Sequence, residues 1–394
     1  MHSGMKLHCD ILIVGAGTAG VSAALAAARA GADTILVEKS ASVGGVAATG
    51  LHRFICGLYA NGPDAPTALL NADRMQVGLE LLAEPLARSA PVRLGRVDLL
   101  PYDRAAFQAT CERLLAAQTN LRLLRGSPVA SVTIADRRVQ RVVAGSAEIA
   151  ADVVVDCSGD GAIIRTHPDL HEIAPAAKRQ LAGYVIRLNG LRNVRETLGI
   201  EVPYTLRQGV EAGVLPATAR FASFSPGDAP EEGFCKFSLP ASDFPDDLLT
   251  RESILAQVDY LRRHLDSFRS ATLVEASTGA LQREGARLKG RYTLTEDDVL
   301  HARKFPDAVA RNAWPMETWD PVRGPAFRYL PPGEWYEIPA DALQSRAVDN
   351  LFCAGRCLSA TPEALASVRV LGACLLLGEA AGRMAARTRR IAPV

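Results

Sequence analysis

Apolar residues fall into two patterns along the chain, and their order predicts an α/β fold. Residues 11–14 and 153–155 are short β-branched runs typical of buried parallel strands, whereas the alanine-rich stretch 21–30 is typical of a helix. The carboxy-terminal end repeats this order, with a strand expected at 351–354 and an apolar helix at 370–386. Each end of the chain is therefore expected to form a strand followed by a helix.

The middle of the chain is less regular. Alternating stretches such as "GYVIRLNG" and "FCKFSL" indicate strands, an amphipathic helix is expected near 253–268, and residues 223–233 are expected to form a flexible surface loop. We predict three segments with boundaries at 1–164, 165–345 and 346–394. The first and third form one Rossmann-type domain, and the middle segment is an inserted, β-rich α+β domain that binds the substrate.

Composition and charge exclude several classes of protein. The 394 residues are 48% hydrophobic, and 44 basic against 43 acidic residues leave a net charge of +1, so no nucleic-acid or membrane partner is expected. The eight cysteines are scattered and predict neither a disulfide framework nor a metal site. The first apolar run is interrupted by glycines and has no basic leader, which favours a cytoplasmic protein. Residues 1–6 are expected to form a ragged start outside the regular structure.

The chemistry begins in the stretch "DILIVGAGTAG". Gly15 permits a tight bend, Gly17 allows the backbone to approach a pyrophosphate, and Gly20 allows helix and strand to pack closely. The N-terminus of the following helix presents unpaired N–H groups to the anion. The residues expected to contact a dinucleotide here are Gly15, Ala16, Gly17, Thr18, Ala19 and Gly20.

The next strand helps to decide which dinucleotide is bound. Glu38 lies about 20 residues beyond the glycines, where an acidic residue receives the ribose hydroxyls, although a solvated strand-end charge is the alternative. Gly44 and Gly45 offer a second close backbone approach, which favours FAD over NAD. An NAD-binding enzyme without flavin remains the alternative. Lys39 and Val46 flank these positions as further candidate contacts.

These motifs resemble the FAD-binding superfamily that includes fumarate reductases and glucose-inhibited-division-type flavoproteins. The resemblance implies that a strand near the adenine, the "SGDG" turn, the last strand and the final helix all border the cofactor. By this resemblance, the additional cofactor-binding residues are Val129, Ser158, Gly159, Asp160, Gly355, Arg356, Val370 and Leu371. The alternative for "SGDG" is an ordinary turn.

Later segments are similar to a family of FAD-dependent oxidoreductases. "REGARLKGRYTLTEDD", "WPMETWD", "YEIPADAL" and "NLFCAGRCLSA" resemble its R-E-S-R, L-T-E-E-D, W-P-x-D-x-H-D, Y-x-I-P-Y-R and A-G-R-x-I-S segments. The chain departs from the family at Trp319, where histidine is frequent, at Ala340 and Asp341, and after Ser359, where a histidine is missing. The usual substrate of the family therefore cannot be transferred to this chain.

The catalytic candidates are Arg283, Arg287 and His52. The guanidinium groups suit a carboxylate or phosphate of the substrate, and His52 could serve as a base or a covalent flavin tether. Each has a structural alternative, which is an ion pair with Glu284 for the arginines and a solvated or core position for the histidine. Trp314, Trp319, Tyr336 and Tyr59 are expected in the core.

The resulting functional prediction is an FAD-dependent oxidoreductase. A hydride would pass between flavin N5 and a small organic substrate bound between the two domains, without a metal. An anionic substrate is one interpretation of the arginines. No second G-x-G-x-x-G occurs between residues 160 and 350, which argues against a separate NAD(P)H domain. The alternative is a non-redox or RNA-modifying flavoprotein of the glucose-inhibited-division type, and the oligomeric state is left open.

Overall fold

The computed structural model describes residues 5–62, 68–243 and 247–391, and side chains up to residue 389. In chain order the strands are β1 (Met5–Val14), β2 (Thr34–Val37), β3 (Phe54–Ile55), β4 (Val92–Leu94), β5 (Val97–Pro101), β6 (Leu121–Leu124), β7 (Val129–Ala135), β8 (Arg138–Ala144), β9 (Ala147–Asp156), β10 (His171–Glu172), β11 (Ala182–Asn189), β12 (Ser223–Pro226), β13 (Gly233–Leu239), β14 (Thr272–Ala276), β15 (Arg287–Leu288), β16 (Ala308–Asn312), β17 (Met316–Asp320), β18 (Gly324–Arg328), β19 (Tyr336–Pro339) and β20 (Leu351–Cys353). The α-helices are α1 (Thr18–Arg29), α2 (Val46–Thr49), α3 (Val77–Leu81), α4 (Ala83–Arg88), α5 (Arg104–Ala116), α6 (Leu198–Glu211), α7 (Asp247–His264), α8 (Glu296–Leu300), α9 (Pro362–Val368) and α10 (Leu371–Ile391).

The central sheet joins the two ends of the chain. Its strands run β6-β2-β1-β9, all parallel, and β9 also pairs in parallel with β20. Asp156 at the end of β9 is the register partner of both Val14 and Cys353. The hairpin of β7 and β8 adds antiparallel strands to β9. The predicted α/β fold with a central parallel sheet is therefore confirmed.

Helices α1 and α10 hold the two ends together at very close range. A Cβ atom on Gly378 would lie 2.0 Å from the Ala19 carbonyl oxygen, and one on Gly382 would lie 2.2 Å from that of Ala23. Only glycine fits at these two crossing points, because any larger residue would force the helices apart. The largest hydrophobic core includes buried residues of both helices.

The middle of the chain builds a second, antiparallel sheet in the order β12-β13-β11-β14. One face carries Ile186 and Phe237, which are buried in a core with Leu206 of α6 and Leu261 of α7. The opposite face carries Val185 and its cross-strand partner Lys236. This alternation matches the expected β-rich insertion, whereas the domain boundaries stay predictions.

Polar contacts tie this second sheet to the first part of the chain. Arg104 at the start of α5 forms a bidentate ion pair with Glu275 of β14, with N–O distances of 2.9 to 3.0 Å. Arg53 donates to the Pro226 carbonyl at 2.7 Å. The face that carries Lys236 therefore lies towards the loop that follows the glycine segment.

Three expectations about elements are wrong in detail. Met5 and Lys6 belong to β1 and pair with Ala147 and Glu148. Residues 223–233 form the whole of β12, a turn and the first residue of β13, because Phe224 is buried and pairs with Cys235. The prolines and acidic residues of that turn concealed a four-residue strand. The amphipathic helix begins at Asp247, six residues earlier than expected.

No single helix in the described ranges is long and apolar enough to cross a bilayer. Helices α9 and α10, bent by 96°, reach that length and hydropathy as a pair. No group of three or more His, Cys, Asp or Glu side chains is placed to hold a metal ion in the same ranges.

Candidate cofactor and substrate site

The glycine turn after β1 is held by backbone contacts that only glycine allows. Gly15 has a φ of +92°, and a Cβ atom there would lie 2.6 Å from the Ser158 Cα. A Cβ atom on Gly20 would lie 1.7 Å from the Gly15 carbonyl oxygen. Gly17 differs, because a Cβ atom there meets nothing within 4 Å among the described atoms. The turn is therefore closed on the protein side and open in front of Gly17.

The N-terminus of α1 opens towards the same space. Gly17 is the N-cap residue, no described side chain caps the helix, and its first turn carries no acidic residue. The first N–H groups of a helix have no partner within the helix and favour an anion. Thr18 and Ala19 supply the first of these groups. The turn therefore fits a dinucleotide pyrophosphate.

A second glycine segment lies directly against the first. Gly44 donates its N–H to the Ala16 carbonyl at 2.8 Å, and a Cβ atom on Gly45 would lie 2.8 Å from the Gly17 Cα. Val46, the first residue of α2, is 44% exposed. The two predicted close approaches thus form one continuous backbone surface, which suits the longer cofactor FAD.

Glu38 follows β2, and its carboxylate forms a hydrogen bond with the glycine turn. Its carboxylate accepts the N–H of Ala16 at 2.6 Å and both the N–H and hydroxyl of Ser40 at 2.9 Å. Ser127, two residues before Val129, donates its N–H to the Glu38 carbonyl at 2.8 Å. The start of β7 therefore approaches Glu38, and a role of Val129 beside the adenine stays a prediction.

Asp160 links the segment that follows β2 to the segment that follows β20. Its carboxylate lies 2.7 Å from Lys39 Nζ and 2.5 Å from Arg356 Nη2. Burial opposes ionisation of Asp160, but the charges of Arg356 and Lys39 lower its pKa overall. Gly159 lies beside Arg356, with 3.4 Å from a Cβ atom at that position to Nη2. The "SGDG" turn is thus an ion-paired junction as well as a turn.

A buried carboxylate fixes the start of this turn. Asp156 accepts the N–H of Ser158 at 3.0 Å and its hydroxyl at 2.6 Å, and also the N–H of Ile163 at 2.8 Å. Burial nevertheless raises the pKa of Asp156. The conformation of residues 156–163 therefore depends on a side chain that points away from the glycine turn.

The carboxy-terminal predictions lie against the start of α1 and against the loop that follows β3. Gly355 has a φ of +72°, and a Cβ atom there would lie 3.2 Å from that of Ala19. A Cβ atom on Gly57 would lie 2.5 Å from the side chain of Val370. Val370 and Leu371 thus stand where α10 begins, next to the loop that follows β3.

Next to the start of α10 lies a group of charged side chains that we name the cation cluster: Lys236, Arg283, Arg369 and Glu317. Lys236 Nζ and Arg283 Cζ lie 4.3 and 4.0 Å from the centre of the Trp319 ring. The Trp319 indole N–H donates to Glu317 Oε1 at 2.8 Å. The cluster combines three cations with one carboxylate.

Arg369 joins the cluster from the segment between α9 and α10. Its Nη2 donates to the Glu317 carbonyl at 3.0 Å and to Gln180 Oε1 at 3.4 Å. Its Nε is buried and has no hydrogen-bond partner among the described atoms. Because Arg369 immediately precedes Val370, the cluster adjoins the predicted flavin contacts.

Neighbouring positive charges, together with burial, lower the pKa values of Lys236 and His52. Burial and the neighbouring Arg283 lower the pKa of Lys236 to about 8, against the opposing effect of Glu317. Burial, Lys236 and Arg283 lower the pKa of His52 to about 4, so its imidazole is neutral at neutral pH. Burial opposes ionisation of Glu317, but Lys236 and Arg369 hold its pKa below the usual value.

The three catalytic candidates have different surroundings. Arg283 belongs to the cation cluster, and the charges that lower the pKa of His52 place that histidine beside it. Arg287 instead donates its Nε to the Ala360 carbonyl at 2.9 Å and lies 3.7 Å from Glu284 Oε2. Glu284 also accepts the N–H of Gln180 at 3.0 Å. Arg287 and Glu284 therefore hold the scaffold together.

The aromatic candidates also divide. Tyr336 is fully buried, with its hydroxyl 2.6 Å from Asn312 and 2.8 Å from Ser367, and Trp314 and Tyr59 are buried as expected. Trp319 is buried too, but its ring contacts two members of the cation cluster.

Sequence reasoning missed Lys236, Glu317 and Arg369. Two signals were available. Lys236 is the charged residue of the apolar strand "GFCKFSL", and Arg369 interrupts the apolar run "ALASVRVLGACLLLG".

Comparisons with known proteins agree with this geometry. A family model for FAD dependent oxidoreductases matches residues 10–167 and 193–390. The solved structure of the flavin-dependent brominase Bmp2 is 13% identical with a TM-score of 0.50, and the match covers 98% of this chain and 80% of that one.

Two other solved structures have similar coverage. A geranylgeranyl bacteriochlorophyll reductase-like protein from Thermoplasma acidophilum is 12% identical with a TM-score of 0.48, covering 98% of this chain and 79% of that one. Sdh1 of Mycobacterium smegmatis is 14% identical with a TM-score of 0.49, covering 99% and 70%. At 13% identity the brominase structure bears on the fold alone. The family match covers most of the chain, which therefore belongs to the FAD-dependent oxidoreductases and uses FAD as its cofactor.

Proposed function

We propose that this enzyme exchanges a hydride between FAD and a small organic substrate bound between the central sheet and the inner face of the β11–β13 sheet. One observation supports this most strongly. The cation cluster, with partly exposed Lys236, Glu317 and Arg369, adjoins the start of α10 at Val370, where the flavin contacts are predicted. Bound FAD supplies hydride exchange at flavin N5.

The chain's own residues supply binding, orientation and proton transfer. Burial lowers the pKa of Arg283 to about 9, so Arg283 is charged at neutral pH and orients the substrate together with Arg369. His52, with a pKa of about 4, is neutral and accepts a hydrogen bond or a proton. Lys236, with a pKa of about 8, has the value best matched to proton transfer near neutral pH. The buried Trp314 and Trp319 side chains exclude water from the substrate side of the site.

Anaerobic titration of the purified, FAD-containing protein tests the proposal. Pools of small metabolites, and NADH and NADPH as reductants, are added while the visible spectrum is followed. Bleaching of the flavin by a substrate, or reoxidation of the reduced flavin by one, supports hydride exchange. If the flavin responds to no pool and no reductant, the redox proposal is wrong.

The second candidate is a non-redox or RNA-modifying flavoprotein. The near balance of 44 basic and 43 acidic residues disfavours it, because RNA-binding surfaces usually carry an excess of basic residues. Salt-dependent retention of RNA by the purified protein, together with a flavin that no metabolite reduces, would favour this candidate instead.

A further inference from the structure

The cation cluster carries more positive charge than the described residues neutralise. Glu317 directs one carboxylate oxygen to the Trp319 indole, and no ion pair joins a described carboxylate to Lys236, Arg283 or Arg369. Three cations and one carboxylate leave a net charge of about +2 in a largely buried place. Buried charges are costly unless they are paired, so a missing anionic partner is indicated.

Other arginines of this protein form close ion pairs with carboxylates. Arg104 meets Glu275 at 2.9 Å, Arg187 meets Glu232 at 2.7 Å, and Arg356 meets Asp160 at 2.5 Å. Each of these side chains has a carboxylate within hydrogen-bond distance. The cation cluster differs from them, because none of its three cations has such a carboxylate among the described residues.

Donor capacity in the cluster is also unused. Lys236 contacts the Trp319 ring and has no described hydrogen-bond acceptor, so its three N–H groups are available. Arg369 Nε is buried and unpartnered, and Arg283 donates from Nη1 to the Leu181 carbonyl. A Cβ atom on Gly183 would lie 3.4 Å from Arg283 Nη2 and 3.7 Å from Lys236 Cε. The glycine thus leaves room beside both cations.

The surroundings favour a carboxylate over a phosphate. Backbone N–H groups at a helix N-terminus are a frequent phosphate site, but at the start of α10 those of Gly372 and Cys374 already donate to Cys56 and Val370 carbonyls at 2.9 Å. The free donors belong to side chains around the flat Trp319 ring. Guanidinium forks match the planar carboxylate, and the indole suits the attached carbon skeleton.

We propose that the cation cluster binds a carboxylate group of the substrate, so that the enzyme acts on an organic acid. Lys236, Arg283 and Arg369 hold the carboxylate, and Trp319, which stands where the family often has histidine, holds the cations in position. This proposal deepens the proposed function and rests on it for the identity of the bound acid as a substrate.

The test is a titration of the FAD-containing protein with acetate, malonate, succinate or inorganic phosphate at constant ionic strength. Binding is followed by the visible spectrum of the flavin and by calorimetry. We expect saturable binding of at least one carboxylate. Lys236→Met is expected to weaken it by at least about tenfold, because a buried charge partner is lost. Lys236→Arg keeps the charge and is expected to retain most of the affinity.

The control is Lys178→Met, since Lys178 is an exposed lysine of the middle segment. It should leave binding unchanged. The proposal is overturned if no carboxylate binds by either readout, if only phosphate binds, or if Lys236→Met binds as tightly as the unaltered protein. Arg283→Met, expected to weaken binding to a similar extent, provides the same decision if the lysine variant does not fold.

Failure here and failure of the proposed function give different results. Carboxylates that bind without any compound ever bleaching the flavin would support the cluster and contradict hydride exchange. A flavin that is bleached by an uncharged metabolite, while no carboxylate binds, would support hydride exchange and contradict the carboxylate site.

Discussion

The two walls of the candidate site are built in different ways. The cofactor wall consists of backbone, in which a Cβ atom on Gly15 would collide with Ser158 and one on Gly45 with Gly17, whereas one on Gly17 meets no described atom within 4 Å. The substrate wall consists of side chains, in which Lys236 and Arg369 come from segments more than a hundred residues apart. A backbone wall accepts any dinucleotide of the right shape, whereas a side-chain wall selects by charge.

Because of this difference, substitutions in the cofactor wall and in the substrate wall are expected to have different effects. Replacing a residue such as Gly20 disturbs the turn itself, because the Cβ atom would overlap the Gly15 carbonyl. Replacing Trp319 or Lys236 changes only what the wall attracts. Of the departures from the family's motifs, Trp319 lies on the side-chain wall, where its ring contacts Lys236 and Arg283. We therefore expect the cofactor to be shared with the family and the substrate to differ.

The largest effect is expected at the helix pair that brings the two walls together. Gly378→Leu would place a side chain where even a Cβ atom lies 2.0 Å from the Ala19 carbonyl. We expect a loss of about 3 kcal/mol or more in the free energy of unfolding, or no folded protein. Urea unfolding followed by circular dichroism measures it. Arg387→Ala, an exposed position on the same helix, should change stability by less than about 0.5 kcal/mol. Equal stabilities of the two variants would contradict the packing.

The next effect separates folding from cofactor binding. Gly17→Ala adds a methyl group that meets nothing within 4 Å in the protein, whereas Gly20→Ala meets the Gly15 carbonyl at 1.7 Å. We expect Gly17→Ala to fold with a melting temperature close to that of the unaltered protein without FAD, but to bind FAD at least about tenfold more weakly, since the methyl occupies the pyrophosphate approach. Gly20→Ala should fail to fold. Fluorescence titration with FAD measures the affinity, and an unchanged affinity for Gly17→Ala would place the cofactor elsewhere.

A third effect concerns the pH dependence of the substrate wall. The pKa of Lys236 is lowered to about 8 by burial and by Arg283 and Arg369, with Glu317 and Cys56 acting in the opposite direction. Lys236 is therefore charged below this pH and neutral above it. Carboxylate affinity should be constant near pH 7 and fall by up to about tenfold per pH unit above pH 8. Calorimetric titrations across this range measure it, and Lys236→Arg should remove the decline near pH 8, leaving a decline near pH 9, where Arg283 loses its charge because burial lowers its pKa to about 9. A decline near pH 8 that persists in that variant would assign it to another group.

The smallest effect sharpens this pH dependence. Glu317→Gln keeps an acceptor for the Trp319 indole and removes the negative charge that raises the pKa of Lys236. We expect the midpoint of the decline in affinity to move down by roughly one pH unit. Glu363→Gln, at an exposed position on α9, is the matched control and should leave the midpoint in place. An unmoved midpoint in Glu317→Gln would show that the two groups do not interact.

The backbone wall could be predicted from the sequence because its geometry requires particular residues. A tight turn, a close approach and a helix–strand contact each need glycine, so Gly15, Gly17 and Gly20 stand out by spacing alone. The strand at β20 and the helix at α10 were also expected, and the family and its cofactor are confirmed.

The side-chain wall could not be predicted in the same way. Arg283 and Arg287 are four residues apart and look alike in sequence, yet one faces Trp319 and the other donates to the Ala360 carbonyl. Only the path of the chain between them decides this. Lys236 lies in an alternating strand, and the sequence does not show which face of the sheet meets the first domain. The residue types were visible, but their meeting point depends on tertiary structure.

A crystal structure of the protein with FAD and a bound dicarboxylate tests most directly whether the two walls face one site. The account predicts FAD against the turn from Gly15 to Gly20, and a carboxylate within about 3.2 Å of Lys236 Nζ or of the Arg283 or Arg369 guanidinium. A dicarboxylate bound elsewhere, with the three cations contacting neither it nor FAD, would contradict the account.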